Sequence, residues 1–278
     1  MNIVKTISEL DAALAVVKGQ KVGFVPTMGA LHEGHLQLVK RAVAECDYCV
    51  VSIFVNPTQF NNASDLAKYP RTLEADLAML QAVGCNLVFA PEKNAMYADN
   101  ELQTTFEYNF EGLDEVMEGK FRPGHFNGVV QVVSKLFNLV KPTKAYFGEK
   151  DFQQLAIIHH MVKTLGFDVE VIDCPIVRET SGLAMSSRNE RLTVEQRENA
   201  AHISKVLFES QTKTTTMTPA ELMAWVTSEI NKNPYLETEY FDIVDSKTLQ
   251  TIQQWNTAAV GCVAVFCGEV RLIDNVRY

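Results

Sequence analysis

Two histidines and two glycines follow the first apolar run of the chain. The segment VPTMGALHEGHL begins at Val25, near the end of a predicted strand. His32 and His35 are three residues apart, so they share one face of the first turn of the helix that is predicted to follow. Gly29 permits a tight turn, and Gly34 lets a phosphate approach the start of that helix. The segment therefore predicts a nucleotide site where a strand end meets a helix N-terminus.

Two other motifs built from similar residues fail on spacing. A Walker phosphate loop needs Lys and then Ser or Thr after its second glycine, where this chain has His35 and Leu36. A zinc protease needs H-E-x-x-H, and here the second histidine comes one residue early. What remains is H-x-G-H after a strand, which is typical of nucleotidylyl-transferring enzymes with a Rossmann-like fold. The alternative is a turn with two surface histidines.

Two further polar segments carry cationic side chains. FGEKD (147–151) follows another predicted strand, and Lys150 would lie beside phosphates at a helix N-terminus. MSSRN (185–189) places two hydroxyls beside Arg188, which suits a loop that binds triphosphate or pyrophosphate. Each segment alone could be an ordinary solvated loop. Together with the histidines they indicate chemistry at a phosphorus atom, where imidazole, Lys and Arg stabilise the charge that grows on the phosphoryl oxygens.

Strands and helices alternate through the first part of the chain. The hydrophobic periodicity predicts strands at 21–26, 49–55, 86–90, 145–148 and 169–173, and helices after residue 32 and at 72–83, 128–140 and 152–165. Strand 49–55 is uncharged and β-branched, as expected when both of its faces are covered. The pattern predicts an α/β fold, a Rossmann-like doubly wound parallel sheet with helices on both faces.

The pattern changes from about residue 177. Thr193 and Gln196 have capping-box spacing and open a predicted helix that reaches about Ser210. Pro219 after Thr218 would occupy the first position of another predicted helix. Strands are predicted at 240–244, 259–267 and 270–273, the last two joined as a hairpin. We therefore expect a first domain at 1–176 and a second, smaller α+β domain at 177–278.

Composition narrows the class of protein. The 278 residues are 47% hydrophobic and 21% charged, with a formal net charge of -9. An acidic chain is a poor candidate for binding nucleic acid, although a few Lys and Arg side chains can still bind small anions. No apolar run approaches the roughly 20 residues of a membrane helix, and the N-terminus carries charges where a signal peptide would be apolar. We expect a cytoplasmic protein without a membrane partner, whose six cysteines are ordinary reduced core residues.

The chain resembles the pantothenate synthetase (pantoate–β-alanine ligase) family across nearly its whole length. The resemblance is carried by PTMGALHEGH, VSIFVNPTQF, YPRT, EGKFRPGHFNGV, KLFNLVKPTKAYFGEKDFQQL, SGLAMSSRN and RLIDN, in that order. H-x-G-H alone marks only a superfamily, but its combination with the other segments is specific. The resemblance implies that pantoate attacks ATP to give an acyl adenylate, from which β-alanine then displaces AMP to form pantothenate.

The resemblance also implies roles for individual residues. His35 would be the leading catalytic residue, assisted by His32, Lys150 and Arg188. Gln59 and Gln154 would bind pantoate, with Gln59 also near β-alanine. The ATP site would comprise Met28, Gly29, Ala30, Leu31, His32, Glu33, Gly34, His35, Gly148, Glu149, Lys150, Asp151, Val177, Met185, Ser186, Ser187 and Arg188. Glu118, Arg122 and His125 would support the pocket edge.

Further implications concern cofactors, assembly and motion. ATP would act as a substrate with Mg²⁺, which need not have its own site on the protein, and no tightly bound organic cofactor is expected. The protein would be a homodimer whose C-terminal domain serves as a lid. Thr58 replaces the usual apolar residue of NPxQF, and His159 and His160 stand where related sequences often carry arginines. We expect both histidines to lie outside the chemistry.

Alternative functions remain open at this point. An adenylyltransferase that attaches AMP to a phosphate-bearing acceptor shares H-x-G-H, but it leaves GEKDFQQ and NPxQF unexplained. A nucleotide-binding sensor without turnover would not need His35, Lys150 and Arg188 together. An aminoacyl-tRNA synthetase shares the phosphate chemistry, but this short acidic chain has little room for tRNA recognition.

Overall fold

A parallel sheet forms the first half of the molecule. The computed structural model describes residues 1–61, 63–98 and 106–278. The strands of this sheet are β1 (Asn2–Val4), β2 (Val22–Thr27), β3 (Tyr48–Ile53), β4 (Leu87–Phe89), β5 (Lys144–Gly148) and β6 (Glu170–Cys174). Their order is β1-β4-β3-β2-β5-β6, and every pair is parallel. The predicted α/β class with a Rossmann-like sheet is therefore confirmed.

The strand order reverses beside β2. From β2 the chain builds β3 and β4 on one side, and it then crosses to β5 and β6 on the other side. Gly23 of β2 is level with Cys49 of β3 and with Lys144 of β5, so the carboxyl ends of these strands meet at one edge of the sheet. A doubly wound sheet opens a ligand-binding crevice at such a reversal.

Helices cover both faces of this sheet. The helices of this half are α1 (Ile7–Ala15), α2 (Glu33–Glu45), α3 (Ala63–Lys68), α4 (Leu73–Ala82), α5 (Lys93–Met96), α6 (Met117–Phe121), α7 (His125–Val140) and α8 (Phe152–Leu165). Of these, α1, α7 and α8 lie on one face of the sheet, and α2 and α4 lie on the other. Neighbouring residues of β2 point to opposite faces, as the two-residue period of a strand requires. Phe24 packs with α1, α7 and α8, whereas Val25 packs with α2 and α4. Burial on both faces explains why β2, β3 and β4 lack charged residues.

The second half of the described chain is a smaller α+β unit. It contains α9 (Val194–Ala200), α10 (His202–Gln211), α11 (Pro219–Asn231), β7 (Leu236–Asp245), β8 (Ala259–Cys267) and β9 (Val270–Arg277). The three strands form an antiparallel sheet, and α10 and α11 share its apolar core. The structure thus gives each half its own sheet and core. The division into domains at residue 177 stays a prediction.

Capping signals correctly located the starts of two helices. The predicted capping box of Thr193 and Gln196 is present, and Thr218 caps the helix that begins with Pro219. The single helix predicted from Thr193 to about Ser210 is wrong, because the chain forms α9 and α10 with a break at Ala201. The start predicted for α7 is also wrong by three residues. Gly124 adopts a φ of 77°, which only glycine reaches easily, so that the helix can begin directly after it.

The sequence did not predict the short strand β1. Strand β1 has three residues, of which Val4 alone is buried, so it carries almost no periodic signal.

All six cysteines are free thiols; Cys46 is half-buried and the others are buried. Within residues 1–61, 63–98 and 106–278, no helix is long and apolar enough to span a membrane.

Candidate active site

Residues 28–35, the histidine loop, connect β2 to α2 and include the first residues of that helix. Gly29 and Ala30 both adopt left-handed backbone angles, with φ values of 80° and 50°. His32 is the N-cap of α2, and its Nδ1 accepts a hydrogen bond from the Gly34 amide at 3.1 Å. The His35 Nδ1 accepts one from the His32 amide at 3.3 Å. A Cβ at position 34 would lie 2.8 Å from the His32 ring, so glycine is the residue that fits there.

These hydrogen bonds determine the tautomer of both imidazoles. Because each Nδ1 accepts a hydrogen bond, the neutral ring carries its hydrogen on Nε2. The ring centroids of His32 and His35 are 4.1 Å apart. Burial, with the nearby charge of Lys150, lowers the pKa of His32 to about 4. Burial, followed by the charges of His32 and Lys150, lowers the pKa of His35 well below its usual 6.5. At neutral pH both rings are therefore uncharged Nε2–H donors.

A buried aspartate supports the histidine loop from α4. One carboxylate oxygen of Asp76 accepts a hydrogen bond from the Ala30 amide at 3.0 Å. The other accepts from the Leu31 amide at 2.9 Å and from the Thr72 hydroxyl at 3.1 Å. The Asp76 side chain has no exposed surface. Sequence reasoning missed this residue, because an acidic residue in the first turn of a helix is common and carries no functional signal.

The lysine turn follows β5. Residues Glu149–Asp151 form a single 3-10 turn before α8. The Lys150 ammonium lies 3.5 Å from the Asp151 carboxylate, and its side chain is 19% exposed. The side-chain amide of Asn275, on β9, donates to the carbonyl oxygens of Glu149 at 2.8 Å and of Lys150 at 3.0 Å. The second sheet therefore contacts the backbone that carries Lys150.

Residues 185–189, the serine–arginine loop, lie against the histidine loop. The Ser187 hydroxyl donates to the carbonyl oxygen of Ala30 at 2.9 Å, across 157 residues of sequence. The Ser186 hydroxyl accepts from the Arg188 amide at 3.2 Å and begins a short 3-10 helix. The Asn189 side chain donates to Glu179 at 2.9 Å. This packing brings Arg188 to the same cavity as the imidazoles.

The glutamine turn is held by α7. A 3-10 turn at Pro57–Gln59 follows β3, and Asn56 donates to the Gly128 carbonyl at 3.0 Å. A Cβ at Gly128 would come within 2.5 Å of the Thr58 backbone, so glycine allows this close contact. The backbone carbonyl oxygen of Gln59 also lies 2.7 Å from the His125 Nδ1. Burial, with the nearby charge of Arg122, lowers the pKa of His125 to about 3.

These segments line a cavity of about 230 Å³ at the strand reversal. Most of the predicted site residues line it, namely Met28, His32, Gly34, His35, Gln59, Gly148, Lys150, Asp151, Gln154, Val177, Met185, Ser186, Ser187 and Arg188. The structure therefore brings the predicted imidazoles, cations and glutamines together.

Five residues predicted for the ATP site do not line this cavity: Gly29, Ala30, Leu31, Glu33 and Glu149. The Leu31 side chain is buried in the core beside α2. The Glu33 carboxylate turns outward to Lys40, 2.6 Å away, and the Glu149 carboxylate turns to Arg277, 3.1 Å away. In both acidic residues a surface ion pair holds the side chain away from the cavity.

An apolar wall of the cavity was missed by the sequence reasoning. Four of its residues come from α7, whose periodicity predicts only a structural helix. The cavity-lining residues that were not predicted are Pro26, Thr27, Leu38, Phe54, Asn56, Tyr69, Val129, Val132, Val133, Leu136, Tyr146, Phe147, Pro175 and Ile176. The spacing of the apolar ones is the same as that of core residues, so no signal in the sequence separates the two roles.

The three residues predicted for the pocket edge line a second, smaller cavity of about 30 Å³. Glu118 accepts from Arg271 at 2.7 and 2.8 Å and from the Tyr240 hydroxyl at 2.9 Å. Although burial alone would raise it, the bonds and charge of Arg271 hold the pKa of Glu118 at about 2. Arg122 lies 3.4 Å from the same carboxylate. The small cavity shares Lys150, Asp151 and Gln154 with the large one.

The two histidines expected to lie outside the chemistry are on α8. The His159 Nε2 lies 2.7 Å from the Asp173 carboxylate, and the His160 Nε2 lies 3.2 Å from the Asn109 carbonyl oxygen. Neither lines the cavity. Thr58 is close to the site, since its hydroxyl donates to Asn56 at 3.2 Å.

A Rossmann-like sheet with an H-x-G-H turn at its strand reversal has the architecture of the nucleotidylyl-transferring class. Comparison with known proteins is more specific. The family model described as pantoate-beta-alanine ligase matches residues 2–277. The chain belongs to this family.

Relatives and solved structures agree with this assignment. The pantothenate synthetase of Bacteroides fragilis strain YCH46 is 56% identical over 282 residues, which is 100% of this chain and 99% of the relative. The structure of pantothenate synthetase from Thermus thermophilus has a TM-score of 0.93 at 44% identity and 99% coverage of both chains. The pantoate-beta-alanine ligase of Francisella tularensis, complexed with beta-gamma ATP and beta-alanine, has a TM-score of 0.85 at 37% identity, covering 100% of this chain and 97% of that chain.

Proposed function

We propose that the protein condenses pantoate with β-alanine to form pantothenate, with ATP converted to AMP and pyrophosphate. The observation that carries the proposal is the convergence of two neutral imidazoles, two cationic side chains and two glutamines on one cavity, in a chain of this family. ATP and β-alanine are both bound by the Francisella tularensis relative. The cavity also offers an apolar wall, which suits the branched carbon skeleton of pantoate.

In the first half-reaction, a pantoate carboxylate oxygen attacks the α-phosphorus of ATP and pyrophosphate leaves. A carboxylate is a weak nucleophile, so the rate depends on its placement, which we assign to Gln59 and Gln154. The Nε2–H groups of His35 and His32 donate to phosphoryl oxygens as charge grows there. Lys150 and Arg188 supply the positive charge. No covalent bond to the enzyme forms.

Magnesium fits this site without a dedicated protein cage. Among the described residues that line the cavity, Asp151 is the acidic one, and it lies beside Lys150. Mg²⁺ in nucleotide sites is held by phosphate oxygens, water and one or two carboxylates. Asp151 would therefore hold the ion, which would neutralise charge on the triphosphate.

In the second half-reaction, the neutral amine of β-alanine attacks the acyl carbon of pantoyl adenylate. The bond between that carbon and the phosphate oxygen breaks, AMP leaves with the electron pair, and the amine loses a proton. Water must be excluded, because it would hydrolyse the mixed anhydride. We assign this protection to the serine–arginine loop and to a C-terminal lid domain at 177–278. The contact of Ser187 with Ala30 supports a closed position.

We further propose that the protein works as a homodimer in the cytoplasm, as the family resemblance implies. Six free cysteines support a reducing compartment. Sedimentation at several protein concentrations tests the assembly: a species of twice the 31.1 kDa chain mass supports the dimer, and a monomer at all concentrations contradicts it.

Omission of one substrate at a time tests the reaction. With ATP, Mg²⁺, pantoate and β-alanine, we expect stoichiometric AMP, pyrophosphate and pantothenate. With β-alanine left out, we expect exchange of labelled pyrophosphate into ATP that requires pantoate. ADP as the nucleotide product, or exchange without pantoate, would contradict the proposed route. Folded protein with no turnover would favour a nucleotide sensor.

A further inference from the structure

The RLIDN segment of β9 carries no role in the mechanism above, yet its polar side chains all reach beyond the second sheet. Arg271 pairs with Glu118 of α6, and Asp274 pairs with Arg178 at 2.6 and 2.9 Å. Asn275 donates to the lysine turn. The contact of Asn275 differs from the other two, because its acceptors are the backbone carbonyls of Glu149 and Lys150, and the Lys150 side chain lines the cavity.

We propose that Asn275 is a positioning residue for the adenylation step, and that it acts by holding the backbone of Lys150. This inference rests on the proposed function, in which the Lys150 ammonium contacts the phosphates of ATP. Asn275 itself does not line the cavity. Its effect on the reaction must therefore pass through the lysine turn.

The orientation of the Asn275 side chain is fixed by its partners. Both acceptors, at 2.8 and 3.0 Å, are carbonyl oxygens, so the group that faces them must be the NH₂ of the amide. The residue is 5% exposed, and its backbone N–H donates to the Asp274 carboxylate at 2.8 Å. Arg178 holds that carboxylate in turn. The backbone from which the donor projects is thus held by a buried network.

The lysine turn lacks a side-chain cap. Its N-cap is Gly148, which has no side chain, and Asp151, the N-cap of α8, makes no side-chain capping hydrogen bond. The two carbonyls are satisfied instead by Asn275, and the Glu149 side chain is held by Arg277 of the same strand. Loss of the Asn275 amide would leave both carbonyls without this donor. A shift of about 1 Å in a catalytic group can cost about 100-fold in rate.

A double-mutant cycle with Lys150→Ala and Asn275→Ala tests the proposal, because coupled residues give non-additive effects. The measurement is pantoate-dependent exchange of radiolabelled pyrophosphate into ATP, with thermal unfolding of each variant. We expect Asn275→Ala alone to lower the exchange rate between about 10- and 100-fold. In the Lys150→Ala background we expect the same change to alter the remaining rate less than twofold.

Two further variants sharpen the test. Asn275→Asp keeps the shape but turns a carboxylate toward two carbonyl oxygens, so we expect a larger loss than for Asn275→Ala. It also takes the place of the alanine variant in the cycle if that variant does not fold. Gln211→Ala is the matched control, because the Gln211 amide donates to the Arg277 carbonyl of the same strand at 2.9 Å without touching the lysine turn. We expect normal exchange for this control.

Three results would overturn the proposal. The first is a normal exchange rate in Asn275→Ala while Lys150→Ala is strongly impaired. The second is a further large loss from Asn275→Ala in the Lys150→Ala background, because that is the mark of a general structural role. The third is normal exchange in Lys150→Ala. That result would contradict the proposed role of Lys150 itself, whereas the first result would contradict only the role of Asn275.

Discussion

The histidine loop and the lysine turn reach the same cavity by different means. In the histidine loop, the two imidazoles cap their own helix, so the residues that carry the chemistry also shape the backbone. In the lysine turn, the backbone around Lys150 is held by a side chain 125 residues later in the chain. The first arrangement can be read from a short segment. The second depends on how two sheets pack.

This difference predicts that substitutions in the two regions lower the reaction rate by different mechanisms. Changes in the histidine loop act directly on the donors, whereas changes around the lysine turn act on their placement. The following expectations run from the largest effect to the smallest.

Removal of the leading imidazole should give the largest loss. We expect His35→Ala to lower kcat by about 10²- to 10³-fold, because it removes a donor to the developing phosphoryl charge. Steady-state kinetics measures this effect, and His160→Ala is the control, since His160 does not line the cavity and contacts the Asn109 carbonyl, the Thr164 hydroxyl and the Tyr108 ring. A loss of less than fivefold in His35→Ala would assign the donor role elsewhere.

A methyl group on the loop glycine should displace the second imidazole. In Gly34→Ala the new Cβ would lie 2.8 Å from the His32 ring, so that the ring must move from its capping position. We expect kcat to fall about 10- to 100-fold. A crystal structure or a histidine ring NMR spectrum would report the displacement. Normal kcat with a displaced ring would show that the His32 position is unimportant.

Loss of the loop support should reduce stability as well as activity. We expect Asp76→Ala to lower the free energy of unfolding by about 3 kcal/mol, because the amides of Ala30 and Leu31 lose a buried charged acceptor. Urea denaturation measures this change. An unfolding midpoint equal to that of the unaltered protein would mean that water or a neighbouring group replaces the carboxylate.

Acidic pH should weaken the folded state through His32. Its pKa is about 4 in the folded protein and about 6.5 when unfolded, so between these values the unfolded state binds more protons. This contribution to stability is complete above pH 6.5 and is lost as the pH falls toward 4. We expect a loss of about 1–2 kcal/mol at pH 5 relative to pH 7. His32→Asn should lose less over the same range, and equal slopes would contradict the assignment.

The sequence predicted the groups that carry chemistry better than the groups that place them. H-x-G-H is identified by residue type and spacing, GEKD and SSRN are identified by their combination with it, and the structure gathers residues of all three at one cavity. Asp76 and Asn275 resemble an ordinary helix-start acid and a strand amide, and their partners are fixed by packing between distant segments. The same limit applies to the valines of α7, whose spacing serves the core and the cavity wall alike.

Isotope transfer tests the proposed adenylation most directly. Pantoate labelled with ¹⁸O in both carboxylate oxygens is incubated with ATP, Mg²⁺ and β-alanine, and the products are examined by mass spectrometry. If a carboxylate oxygen attacks the α-phosphorus, one ¹⁸O appears in AMP and one remains in pantothenate. Unlabelled AMP, or label in inorganic phosphate with ADP as the nucleotide product, would contradict the adenylate intermediate.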